Sequence, residues 1–320
     1  MDRWEFCQAF GLSLDLAVEA HELLRGATQR EVPGVKEEKE ELGFAKVSTI
    51  TIFNPEGEKA LGRPRGTYVT IEVPNLSSLP PDQRTRLIRL VSDKLRLLLG
   101  RSGLLPHADV LIVGLGNRRA TPDSLGPRVV ERCLITRHLH RYAPETLPPS
   151  LRSTSAIAPG VLGVTGIETL EIVRGVVEHL HPALVMVVDA LAAQEVRRLG
   201  STIQIADTGL SPGSGAGNGR GSINRLTLGR PVIALGVPTV VQAPVLFYDF
   251  YHHLPHRPPA NTPNDLSEAA RQVLAPFGGG LTVTPKEIDE LIDHVAEVLA
   301  AGINRALFPD LSEGEIEYLT

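Results

Sequence analysis

The chain has 320 residues, 42% hydrophobic and 22% charged, and a net charge of −5 at pH 7; this composition excludes wholesale disorder and supplies no general field for nucleic acid. Its two cysteines, Cys7 and Cys133, lie too far apart to suggest a disulfide framework or a zinc site. With no uncharged apolar run near the roughly 18 residues of a membrane span, and no basic-then-apolar leader at the N-terminus, a cytoplasmic location is expected.

Residues 14–25 repeat apolar positions at helical spacing, and the following VPGVKEEKEELGF carries an acidic cluster suited to a solvated loop or a strand edge. Two β-rich stretches, 45–53 and 66–73, are joined by a Gly/Pro-containing connection that reads as a hairpin-like turn. A helix is expected from Pro81 to a stop at Gly100, its leucines on one stripe.

From residue 109 the pattern becomes strand, loop, helix. DVLIVGL (109–115) is an aliphatic strand, GNRRATPDSLGP a long turn, and LGPRVVERCLITRHLHRY the continuation as an amphipathic helix. The unit recurs, with a helix at 167–180, a buried strand at 183–191, and further strands at 201–207 and 231–237 separated by a glycine-rich loop. The C-terminal part reads as two helices, the second with Thr284 as N-cap, Pro285 in the first turn and Glu287 closing a capping box. The Pro/His-rich stretch 251–265 reads as an exposed loop, and too little apolar sequence follows it to build a second core. The expected fold is α/β: an open, mostly parallel sheet with helices on both faces and a β-rich N-terminal extension.

Ligands of such sheets sit at the carboxyl ends of the strands. Asp123 lies in the turn after one strand, at a helix start, where it is either a helix cap or a reactive acid. Asp189 terminates an aliphatic strand and is followed by Ala190, Leu191, Ala192 and Ala193, so whatever satisfies it is distant in sequence. It either ties down loop amides or does chemistry. Asp207 also ends a strand and is the leading third acid.

Louder motifs are weaker. GLGNRR has Arg119 where the dinucleotide fingerprint needs its third glycine. The loop SPGSGAGNGRG lacks a GK[ST] ending, and Ser214 lacks a GxSxG frame because Pro212 precedes it; tight bending or close approach to another chain is the plainer account of Gly213, Ser214 and Gly215. His252, His253 and His256 stand without nearby cysteines or paired carboxylates and read as surface residues, so no metal or other cofactor is expected.

Taken in collinear order, GLGNRRATPDSLGPRVV, TGIETLEIVRGVVEHLHPALVMVVDALAA and STIQIADTGLSPGSGAGNGRGSINRLTLGRPVIALGVPTVV resemble the germination (spore) protease family, as do LDLAVEAHELL, VPGV, ALGRPRGTYVTIEVP and LTVTPKEIDELI in the flanks. The resemblance implies an atypical aspartic endopeptidase that begins the degradation of small acid-soluble spore proteins during germination, in the cytoplasm of the spore core. It carries the two essential acids onto Asp123 and Asp189, leaves Asp207, Gly213, Ser214 and Gly215 as substrate-binding or supporting residues, and implies a fold similar to that of hydrogenase-maturation endopeptidases. It also implies a homotetramer and a zymogen. Residues 1–15 would be a propeptide removed by the enzyme itself between Asp15 and Leu16, leaving 16–320 as one peptidase domain, although Ser13 and Leu14 stand where the family commonly has arginine and a hydroxyl residue. Two other readings of the same cleft are a metal-dependent maturation-type peptidase and a non-catalytic peptide-binding protein.

Overall fold

The structure, a computed structural model, describes residues 3–12, 15–28, 32–148, 151–211, 221–255, 265–278 and 280–320. Its frame is one sheet of nine strands: β1 (Val35–Glu41), β2 (Lys46–Ile52), β3 (Gly66–Glu72), β4 (Val110–Gly114), β5 (Thr154–Ile157), β6 (Leu184–Ala193), β7 (Thr202–Ala206), β8 (Val232–Gln242) and β9 (Thr282–Val283). The order across the sheet is β1-β2-β3-β7-β8-β6-β4-β5, with β9 added to β8. The four strands from β8 to β5 are parallel, whereas β1, β2, β3 and β7 join antiparallel, so the α/β sheet is mixed and its parallel part is confined to one half. The acidic cluster forms β1, an edge strand whose Lys and Glu side chains face water except Glu37, which is largely buried beside His21.

The helices are α1 (Arg3–Ala9), α2 (Ala17–Thr28), α3 (Pro55–Leu61), α4 (Pro81–Arg101), α5 (Leu125–Val130), α6 (Arg137–Tyr142), α7 (Leu162–Thr165), α8 (Thr169–Leu180), α9 (Arg225–Leu228), α10 (Ala243–His253), α11 (Asp265–Leu274), α12 (Ile288–Leu307) and α13 (Glu313–Leu319). Period-two alternation divides the core. Leu184, Met186 and Val188 of β6 face α4, α5 and α12 in the largest apolar cluster. Val185 and Val187 face α8 on the other side, and Leu191 packs with α2. The leucine stripe of α4 is the one its sequence spacing calls for, with Leu87, Val91, Leu95 and Leu98 all buried. Outside the sheet, α1 lies against α10, with Phe6 fully buried between Phe10 and Tyr248 at ring separations of 5.1 and 5.4 Å. Arg3 pairs with Asp249, and the Cys7 thiol donates to Gln194 Oε1 at 2.9 Å.

Local expectations fail where side chains from distant parts of the chain intervene. The connection between β2 and β3 contains α3, capped by Asn54 accepting from the Gly57 amide at 2.9 Å, rather than a simple turn. The helix expected through 125–142 is broken into α5 and α6. Asn304 of α12 accepts from the Leu134 amide and donates to the Arg132 carbonyl, while the Thr136 hydroxyl donates to the Arg152 carbonyl, so this backbone is held out of the helical ladder and turned toward β5. Thr284 does not cap α12. Its hydroxyl donates to the Thr239 carbonyl at 2.9 Å, and Glu287 occupies the position before Ile288. The first part of the Pro/His-rich stretch belongs to α10, where His252 stacks on Tyr248 at 3.9 Å and His253 contacts the Asp249 carbonyl. His256 lies outside the described residues.

Candidate active site

β4 ends at Gly114, opposite Val188, while β6 and β8 run on together to Ala193 and Gln242; Asp189 therefore lies within β6 rather than terminating it, and both acids singled out from sequence lie near the end of β4. Leu115, directly after β4, donates its amide to the Val188 carbonyl at 2.8 Å. The next residue on one side is Gly116 and on the other Asp189. Gly116 has φ of +111°, and a Cβ there would collide with the Asp123 carbonyl and approach the Asp123 carboxylate to 3.1 Å. Only glycine lets the 121–123 turn fold back this closely over the end of β4. The Asp123 carboxylate accepts from the Asn117 amide at 2.8 Å, and the turn is pinned from β8 by the Thr239 hydroxyl, which donates to the Pro122 carbonyl at 2.7 Å. Gly126 completes the close approach, since a Cβ there would run into the Leu115 backbone and lie 2.6 Å from the Val188 carbonyl. Asp123 thus lies in the turn over the end of β4, while Asp189, 6% exposed, follows Val188 on the neighbouring strand β6 and accepts from the Ala190 amide at 2.9 Å.

By alternation Asp189 points to the sheet face that carries α2 and α8. Its register partner on β8 is Gly236, and Gly236 in turn pairs with Gln204 of β7. Gln204, Gly236 and Asp189 therefore form one row across three strands with the same facing. The middle position has no side chain, and a Cβ there would meet Leu191 at 2.6 Å. Over this part of the sheet lies a cleft of about 300 Å³, floored by Ala206, Ala234 and Gly236 and walled by Arg63, Tyr68 and Leu191. Burial lowers the Arg63 pKa from its ordinary value and raises that of the Tyr68 hydroxyl.

The chain's own Asp15 forms part of the wall of this cleft, and residues 15–17 are bonded to its lining. The Asp15 side chain accepts from the Ala192 amide at 2.9 Å, the Asp15 carbonyl accepts from Gln204 Nε2 at 3.0 Å, and the Ala17 amide donates to Gln204 Oε1 at 2.7 Å. Leu16 between them is fully buried, and Leu16, Ala17, Val18 and Ala20 seal α2 against β2 and β3.

Asp207 is elsewhere. Because β7 runs antiparallel to β8, with Ala206 opposite Ala234, its end points back toward the start of β8 and away from Asp189. There Asp207 accepts from the Thr67 amide at 2.7 Å and ties β7 to β3, while burial raises its pKa above the ordinary carboxylate value. Gly213, Ser214 and Gly215 lie outside the described residues. The stem of their loop is described: Ser211 and Ser222 line the cleft and share a hydrogen bond of 2.7 Å, and Leu210 pairs with Ile223. Sequence reasoning did not single out Gln204 or Arg63. The available signal for Gln204 was a polar residue amid the aliphatic β7, on the face opposite Ile203 and Ile205; Arg63 carried none. Among the described residues no three His, Cys, Asp or Glu side chains gather as a metal ligand set, and no helix is long and apolar enough to cross a membrane.

The family model described as Germination protease matches residues 15–255 and 264–320. A germination protease of Caldanaerobacter subterraneus subsp. tengcongensis is 44% identical, the alignment covering 97% of this chain and 98% of that one. Those of Clostridium acetobutylicum and Bacillus cytotoxicus are 39% and 38% identical, over 94% and 95% of this chain and 97% and 95% of theirs. Among solved structures, the [NiFe] hydrogenase maturation protease HycI of Thermococcus kodakarensis KOD1 aligns over 66% of this chain and 98% of its own at 18% identity with a TM-score of 0.32; the α/β architecture rests on the strand order above and not on that slight likeness. By the family match and the near full-length identities, the chain belongs to the germination protease family.

Proposed function

We propose that this protease is an endopeptidase in which Asp123 and Asp189 together activate water, and that it opens the degradation of small acid-soluble spore proteins in the spore core. The reading is supported by the placement of two remote acids near the end of β4, one in the turn folded over it and one on the neighbouring strand β6, and by a cleft on the sheet face of Asp189 whose wall includes Asp15. Two neighbouring carboxylates cannot both ionise cheaply, so one holds a proton while the other is free to take one. As water adds to the peptide carbonyl carbon, the ionised carboxylate accepts its proton and the protonated one donates toward the carbonyl oxygen. The tetrahedral adduct then breaks its C–N bond, the leaving nitrogen takes up a proton, and a free acid and a free amine result. Such a sequence needs no covalent intermediate with the protein.

In the same reading residues 1–15 are a propeptide and the bond between Asp15 and Leu16 is cut by the enzyme itself, within a homotetramer. Support comes from Asp15 at the wall of the cleft, with its side chain held by the Ala192 amide, three residues beyond Asp189. Spore-protein substrates that lack stable structure when free could enter the same path as extended segments. The test is cleavage of a purified small acid-soluble spore protein by wild type, Asp123→Asn and Asp189→Asn. Both variants should fold and be inert; turnover by either one removes that acid from the mechanism, and loss of wild-type activity on strong chelation would replace the scheme with metal-assisted hydrolysis.

A further inference from the structure

Gln204 is buried at 9% exposure in the middle of a strand, yet its amide makes no bond to another side chain of the sheet. It spends both ends on one short stretch of backbone. Nε2 donates to the carbonyl of Asp15 and Oε1 accepts from the amide of Ala17, so the two groups bracket Leu16 in the manner of a neighbouring strand. This pairing fixes which end of the amide is nitrogen, because a carbonyl needs a donor and an N–H an acceptor. The same side chain is in register with Asp189, with only Gly236 between them.

We propose that Gln204 is a further catalytic residue, which holds the scissile carbonyl through Nε2 and sets the register of the peptide through Oε1. The inference rests on the reading above, that hydrolysis occurs at the 15–16 bond beside Asp189. When water adds to the Asp15 carbonyl carbon, its π pair moves to oxygen, and Nε2–H faces the charge that develops there. Collapse of the adduct returns the pair and expels the Leu16 nitrogen, which takes up a proton. For a substrate supplied in trans, the residue before the scissile bond and the second residue after it occupy the places of Asp15 and Ala17.

A helix-capping role for Gln204, in which it merely satisfies the free Ala17 amide at the start of α2, predicts different behaviour, and Gln204→Glu separates the two. That variant keeps an acceptor for Ala17 but, when ionised, has no donor for the carbonyl. The assay follows loss of the N-terminal segment from the full chain by intact mass, together with cleavage of a peptide spanning residues 9–22 across pH. The inference expects Gln204→Glu to melt near wild type and to cut both targets roughly 100-fold more slowly. Its rate should climb back toward wild type as the pH falls and the introduced carboxyl regains a proton to donate. Gln204→Leu should be slow at every pH. A Gln204→Glu rate within threefold of wild type, with no new pH dependence, overturns the proposal, as does wild-type cleavage at a bond other than 15–16 or none at all. Asp189→Asn run alongside keeps the two claims apart: its retained activity removes the acid pair and leaves the Gln204 result standing.

Discussion

Replacing Glu19 by glutamine isolates one titration and turns it into a measurable slope. Glu19, in the first turn of α2, is 1% exposed and accepts from the Gln194 amide at 3.0 Å. Arg198 stands 3.7 Å away, but its guanidinium is already engaged at shorter range by Glu22 at 2.7 Å, Glu72 at 2.9 Å and Glu195 at 3.3 Å. Desolvation therefore outweighs the attraction of Arg198, and the Glu19 pKa rises from 4.5 to about 8. Below pH 4.5 the folded and unfolded chains both carry the proton, and the full stability is present. Between there and pH 8 the unfolded chain releases it while the folded chain keeps it, so stability falls by about 1.4 kcal/mol per pH unit, about 2.5 kcal/mol from pH 5 to 7 and about 5 kcal/mol in all. Above pH 8 this contribution is flat. Glutamine can accept from Gln194 as the neutral acid does but has no proton to lose. Urea unfolding at fixed protein concentration should show Glu19→Gln gaining about 2.5 kcal/mol on wild type between pH 5 and 7, whatever the offset between them. Parallel pH curves would refute the protonated state, and a variant that loses ground as pH rises would establish an ordinary ion pair with Arg198.

Three further outcomes are expected. Gly126→Ala should cost at least about 3 kcal/mol or leave little soluble protein, because its Cβ meets backbone that cannot rotate away; a melting curve that loses less than about 1 kcal/mol would show that the turn over β4 has slack. Asp207→Asn should cost about 1 kcal/mol or less and keep the cleavage rate within about twofold, since its oxygen still accepts from Thr67 and it sits away from Asp189; a large fall in rate would restore it as a third catalytic acid. Burial holds the Cys133 thiol at about 12, so iodoacetamide at pH 8 should label it about a thousandfold more slowly in the folded than in the unfolded chain, as followed by peptide mapping.

The parallel strands and the long helices could be read from sequence because each satisfies itself locally. Aliphatic runs such as 184–188 can only be buried strand, and the stripe on α4 has one period. Asp189 stood out for the same reason, as a charge at the end of such a run. What escaped depends on partners far along the chain. Asn304 breaks the helix after α5 from about 170 residues away, and no local propensity at Leu134 announces it. The direction of β7 is likewise absent from its own residues, so Asp207 looked equivalent to Asp189 although Asp189 lies within β6 and Asp207 follows a strand that runs the opposite way. Gln204 was overlooked because its hydrogen-bond partners lie on a backbone segment far along the chain, 189 and 187 residues earlier.

If the 15–16 bond is cut as proposed, the seating of α1 would separate scission from departure. Phe6 is enclosed by Phe10 and Tyr248, Arg3 reaches both Asp249 and the Gln194 carbonyl, and Arg271 donates to the Ala9 carbonyl at 2.8 Å. None of these contacts involves the bond at residue 15. A nicked chain would therefore keep its N-terminal fragment docked as a non-covalent plug, and the uncovering of α10 and α11 would follow the dissociation rate of that fragment instead of the rate of hydrolysis.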